Sequence, residues 1–240
     1  MMNVIVCESY DEMSLRSAEL LAEVIKAKPN CVLGLATGST PIGLYQSLIR
    51  MNKSGEISFK EVTTVNLDEY YPIAPTHDQS YRYFMDKQLF DHIDIDKTRT
   101  SVPNGTADDP DAACRDYEKM VSLLGGIDAQ VLGVGRNGHI GFNEPAASLM
   151  LDTHVADLTP STIEANSRFF ADEADVPRRA LTMGIGTIFK AKKVILMAAG
   201  VEKKAAVSAL LANRLCTDFP VTMLHLHPDV TLVCTKDVID

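Results

Sequence analysis

The sequence is short of basic residues: 23 lysines and arginines stand against 32 aspartates and glutamates, a formal net charge of −9. Wholesale nucleic-acid binding needs many cationic contacts to phosphates, and this balance excludes it. It does not exclude one small anion, which a local group of donors can hold inside an acidic protein. No apolar stretch approaches the length of a bilayer span. The amino-terminal apolar run is too short for a signal peptide and is followed by acid, so a cytoplasmic location is expected. The five cysteines, Cys7, Cys31, Cys114, Cys216 and Cys234, are odd in number, widely spaced and without a CxxC pair. That pattern predicts reduced, mostly buried thiols rather than a disulfide framework. His225 and His227 form an H-x-H pair, but no further ligands at metal spacing accompany them, and both are expected to be structural.

What is present is a chain of 240 residues, 46% hydrophobic and 23% charged. A chain of this size buries roughly 70–75% of its unfolded surface and needs no cross-links. Strand-like segments (3–7, 31–36, 62–67, 129–134, 194–199, 230–234) alternate with helical ones (13–26, 41–51, 80–90, 109–124, 160–170, 183–189, 201–212). Continuous apolar strands between helices predict a single α/β domain with a mostly parallel central sheet covered on both faces. Ligands of such sheets bind beyond the carboxyl ends of the strands, so the chemistry is sought there.

Three strand ends stand out. In the first, LATGSTP, Gly38, Ser39 and Thr40 precede a helix, an arrangement that suits either a phosphate or an ordinary helix cap. It is not a Walker loop, because no GK[ST] follows. In the second, VNLDEYYP, Asp68 and Glu69 follow a strand. Side chains alternate, so one carboxylate is expected to face the crevice, unless the pair is a solvated acidic turn. The third, VLGVGRNGHIGFNEP, matches G-x-G-x-x-G, but Gly141 and Pro145 forbid the helix that a dinucleotide site needs. Its glycines are read as letting backbone approach a ligand. His139, with Glu144 five positions on, is read as a tuned acid–base group. Lys203, in the first turn of a helix, opposes the helix dipole and calls for an anion, although a snorkelling lysine fits as well.

LGLATGSTP, VNLDEYY, GVGRNGHIGFNEP, NSRFF, ALTMGIGTI, GVEKKA and LHLHP occur in order over nearly the whole chain. Together they resemble the glucosamine-6-phosphate deaminase (isomerase) family. The resemblance implies a modified Rossmann-like three-layer sandwich and a cofactor-free, metal-free conversion of glucosamine 6-phosphate and water to fructose 6-phosphate and ammonium. It implies that Asp68 moves a proton between C2 and C1, that His139 opens the pyranose ring, and that Asn137 and Glu144 support His139. Gly38, Ser39, Thr40, Arg168 and Lys203 would cradle the phosphate. Some members carry aspartate at 137. An asparagine there can orient the imidazole by a hydrogen bond but cannot give it a full charge. Asp152, His154 and Ala156 stand where regulated relatives carry basic residues, and the chain lacks their extended carboxyl terminus, so a short, unregulated form is expected. Residues 146–175 are expected to form a lid. The expected partner is the small substrate alone, with neither membrane nor nucleic acid, in a monomer or homo-oligomer, monomer preferred. A lactonase on the same fold is the enzymatic alternative. A sugar-phosphate sensor would have no need of the proton-transfer groups and would carry a basic DNA-binding segment, which is missing.

Overall fold

In the computed structural model, the described residues are 2–159, 162–163, 170, 172 and 176–239. The main sheet has seven parallel strands in the order β1-β10-β9-β6-β2-β3-β5. They are β1 (Asn3–Cys7), β2 (Val32–Leu35), β3 (Thr63–Asn66), β5 (Thr100–Ser101), β6 (Ala129–Gly133), β9 (Val194–Ala198) and β10 (Val230–Thr235). Every residue of β2, β9 and β10 is buried, the signature of strands covered on both faces. The order runs outward from β2 through β3 to β5, then returns to the other flank of β2 with β6. That reversal makes the gap between the carboxyl ends of β2 and β6 the expected ligand crevice.

Helices α1 (Tyr10–Ala27), α2 (Ile42–Lys53), α3 (Tyr81–Gln88), α4 (Pro110–Leu123), α5 (Ile185–Phe189) and α6 (Lys204–Leu211) complete the described helices. α1 starts earlier than its apolar spacing predicts. Ser9 accepts a hydrogen bond from the Glu12 N–H, so an S-x-x-E cap sets the start rather than the first core residue. The predicted helix over 160–170 lies outside the described residues except for Thr162, Ile163 and Phe170. The thiol expectation holds, with all five cysteines unpaired, four buried and Cys216 half-buried.

The two-residue β5 and a second sheet lie outside the strands that the apolar pattern predicts. A second, antiparallel sheet of order β4-β8-β7 joins β4 (Asp68–Tyr71), β8 (Arg179–Thr182) and β7 (His154–Asp157). Each strand has only four residues, too few to show a period in the sequence. The chain passes from one sheet to the other at Leu67. Its N–H donates to the Leu35 carbonyl in the main sheet, and its carbonyl accepts from Met183 beside the small sheet. A small apolar core of its own, including Tyr70, Phe142, Ile163, Val176 and Ala180, packs with this sheet.

Candidate active site

The carboxyl ends of β2, β3, β6 and β9 bring the selected residues to one edge of the sheet. Buried tyrosines fix two of these ends: the Tyr45 hydroxyl donates to the Ala36 carbonyl and that of Tyr117 to the Asn66 carbonyl. Asp68 comes one residue after the sheet switch and is only 6% exposed. Among the described residues no hydrogen bond or ion pair reaches its carboxylate. Burial first, and the Glu69 charge second, push its carboxyl up to about 8 from an ordinary 3.8. Glu69 alternates to the other side. Burial raises it to about 7, against hydrogen bonds from the N–H groups of Tyr70, Tyr81 and Arg82. Of the two acids, Asp68 is therefore the free one, and the solvated-turn reading falls. An open cavity of about 730 Å³ is lined by Glu69 and Arg82, not by Asp68 or His139, and lies apart from this chemistry.

The turn after β6 contains no helix from Val134 to Pro145, as the second glycine and the proline require. One of its glycines has a second task within the turn itself. A Cβ at Gly135 would overlap Cε1, Nδ1 and Nε2 of His139, so this glycine makes room for the imidazole. Gly141, with φ +57°, brings the turn close to Asp68: a Cβ there would stand 3.7 Å from its Oδ2. Asn143, buried, donates to the carbonyls of Ile140 and Met183 and locks the turn to the end of β8.

His139 Nδ1 lies 3.3 Å from Glu144 Oε1, near enough for strong attraction but off the line of a hydrogen bond. Burial would raise Glu144, yet the imidazole, the Thr162 hydroxyl and the Asn137 amide together hold it down at about 2. Asn137 supports the imidazole indirectly, which corrects the expected direct hydrogen bond. Its Nδ2 donates to Glu144 Oε2 at 2.6 Å, and its Oδ1 accepts from the His139 backbone N–H at 3.2 Å. An ionised aspartate could not make the first of these bonds, because a carboxylate only accepts. Asparagine at 137 thus ties Glu144 to the turn with no second negative charge.

At the end of β2, Gly38 adopts φ +87°, which an L side chain resists. The first turn of α2 has no side-chain cap, which removes the cap reading of Ser39 and Thr40. The Tyr10 hydroxyl instead sits 3.0 and 3.1 Å from the Ser39 and Thr40 carbonyls and accepts from the Gly43 N–H. Among the described residues, the N–H groups of Gly38, Ser39 and Thr40 and both hydroxyls are uncommitted. Lys203 is half-buried. Burial lowers it below the usual lysine range, with Glu202 opposing and the Arg136 charge adding to the fall. A bound anion would relieve that cost. Arg136, which the sequence reading passed over, therefore lies near Lys203, as expected of residues that follow the paired strands β6 and β9. Arg168 lies outside the described residues. His227 and His225 are structural as expected: His227 is bonded at both ring nitrogens, to the Ala191 carbonyl and the Asp229 N–H, and His225 contacts the Leu210 carbonyl.

Fold and site together define an α/β sugar-phosphate enzyme of the isomerase and lactonase type. Residues 8–233 match the model of the family described as glucosamine-6-phosphate isomerases/6-phosphogluconolactonase, and the chain belongs to that family. Its relatives include a glucosamine-6-phosphate deaminase of Clostridium perfringens, 52% identical over 98% of both chains. Another, from Geobacillus sp., is 48% identical over 99% of this chain and 95% of the relative. The solved structure of a monomeric glucosamine-6-phosphate deaminase superposes with a TM-score of 0.96 at 47% identity, covering 99% of this chain and 98% of that one. A 6-phosphogluconolactonase from Trypanosoma cruzi reaches a TM-score of 0.78 at only 21% identity and shares the fold alone.

Proposed function

We propose that this chain converts glucosamine 6-phosphate and water to fructose 6-phosphate and ammonium. The observation that carries the reading is a buried carboxylate without a partner, Asp68, set against the glycine turn that carries His139 and its Glu144 support. His139 takes the proton of the anomeric hydroxyl and returns it to the ring oxygen, opening the pyranose. Asp68 then removes the C2 proton, which the C1 carbonyl acidifies, and returns it to C1. A proton of the C2 ammonium passes to O1, leaving the nitrogen at C2 as an iminium, and water adds to C2 and expels it as ammonium. Partial desolvation makes Asp68 a far better base than an exposed carboxylate. The amides and hydroxyls of Gly38, Ser39 and Thr40 hold the phosphate with Lys203 and Arg168.

The protein acts as a monomer in the cytoplasm and needs no cofactor or metal. Among the described residues no helix is long and apolar enough to cross a membrane. With Asp152, His154 and Ala156 at the positions where regulated relatives would carry basic residues, no anionic effector regulates it. Assaying ammonium and fructose 6-phosphate together, with and without N-acetylglucosamine 6-phosphate, tests the reaction and the lack of regulation. Release of fructose 6-phosphate without ammonium, or neither product, would sink the reading. Lys203→Ala should raise KM for the phosphorylated sugar while kcat changes little, because the phosphate is remote from the reacting carbons. An unchanged KM would remove Lys203 from the cradle.

Residues 146–175, of which 160–161, 164–169, 171 and 173–175 lie outside the described residues, are expected to close over the sugar. The early part of this stretch is anchored: β7 pairs with β8, and Glu118 on α4 accepts from the Thr153 N–H and hydroxyl. The lid is therefore expected to begin after β7. Substrate should slow amide exchange in 158–175 and leave 153–157 nearly unchanged. Exchange in 158–175 that substrate leaves as it was would sink the closure.

A further inference from the structure

The turn that follows β2 is held from another element. Tyr10 is the first residue of α1, directly after the Ser9 cap, and its half-buried ring reaches the start of α2. The hydroxyl lies 3.0 Å from the Ser39 carbonyl oxygen and 3.1 Å from that of Thr40, and it accepts the Gly43 N–H at 2.9 Å. Its one proton is thus shared between two carbonyls, and a lone pair is taken by the backbone of α2. Gly43 is buried and makes this approach possible: a Cβ there would meet the Ser14 hydroxyl and stand 3.0 Å from the Tyr10 Cε1. No side chain of its own turn caps α2, so for the Gly43 N–H a tyrosine of α1 does the work of a helix cap.

These bonds also set directions. In a trans peptide the carbonyl and the following N–H point opposite ways, and the Ser39–Thr40 bond is trans. Pinning the Ser39 carbonyl against Tyr10 therefore aims the Thr40 N–H away from α1. The negative ends of two carbonyls are turned toward a hydroxyl rather than toward an arriving anion. Without the hydroxyl, both carbonyls and the Gly43 N–H lose this partner, and the peptide between Ser39 and Thr40 is free to turn.

Resting on the phosphate cradle of the deaminase reading, we infer that Tyr10 is a positioning residue for the phosphate: its hydroxyl holds the 38–40 turn with its N–H groups already aimed at the ligand. Order supplied before binding is order that the substrate does not have to impose, and it appears as affinity.

Tyr10→Phe keeps the ring and removes the hydroxyl. Two measurements read it: kinetics with glucosamine 6-phosphate, and calorimetric titration with inorganic phosphate, which needs no turnover. KM and the phosphate Kd should each rise about fivefold, the usual worth of one hydrogen bond. The kcat should stay within about twofold of the wild type, because the phosphate is remote from the reacting carbons. A tyrosine that served packing alone would lower the melting temperature and leave both constants as they were. That result overturns the inference, as does a fall in kcat at unchanged KM and Kd, or a wild type that binds no phosphate. If the wild type binds phosphate but releases no ammonium, the deaminase reading fails, while titration of the two proteins still decides the role of Tyr10.

Discussion

Asp68→Asn is expected to abolish most turnover and, at the same time, to stabilise the protein. Removing a single positioned base costs about 10²–10⁴ in rate. The stability effect follows from burial. In the folded chain the carboxyl stands at about 8, against an ordinary 3.8. A carboxyl raised by folding costs nothing below its unfolded value, where it is neutral in both states. The cost grows as pH climbs through the window between the two values and is complete above about 8. Each unit of displacement corresponds to about 1.4 kcal/mol, so the penalty at neutral pH is on the order of a few kcal/mol. Asparagine is neutral throughout and escapes it. Thermal unfolding of the two proteins should coincide near pH 3 and separate steadily toward pH 8, with the variant melting higher. An equal or lower melting temperature at pH 8 would show that the carboxylate has a partner. Substrate should also act on the wild-type group. The C2 ammonium of the amino sugar favours the anion, so the acid limb of kcat should lie at lower pH than that of kcat/KM.

Gly135→Ala is expected to match the loss of the histidine itself, about 10²–10⁴ in kcat, in a protein that still folds. The backbone at 135 does not require glycine, since its φ lies outside the left-handed region. The three atoms nearest a methyl there all belong to the imidazole of His139. A side chain can rotate away at little cost in stability, and it then leaves Glu144 and the substrate. Gly133→Ala provides the contrast. No atom lies within 4 Å of a Cβ there, and activity should stay near that of the wild type. Both are glycines of the same G-x-G-x-x-G string, so equal tolerance at the two positions would refute this account of the turn.

Much of the site was legible because it sits where strand meets loop. Apolar runs gave six strands of the main sheet, and Gly38, Asp68, His139 and Lys203 each stand a few residues past one of them. The helix starts were less clear wherever a cap rather than a core residue sets the boundary, as at Ser9. The small sheet was not legible at all. Four-residue strands such as His154–Asp157 are defined by their partners, not by their own pattern. Arg136 and Thr162 carried no signal for the same reason: neither stands out until another stretch of chain is laid beside it.

By itself the sequence determined the elements, the parallel sheet and the chemical inventory at its edge, because these follow from apolar spacing, glycine and proline steric limits and the reach of single side chains. Tertiary structure alone decided which of two neighbouring acids is left free of partners, since burial and hydrogen bonds act through space: among the described residues Glu69 accepts three N–H groups and Asp68 none. It likewise decided that Asn137 holds Glu144 rather than the imidazole, and that a threonine from the far side of the small sheet grips the same carboxylate.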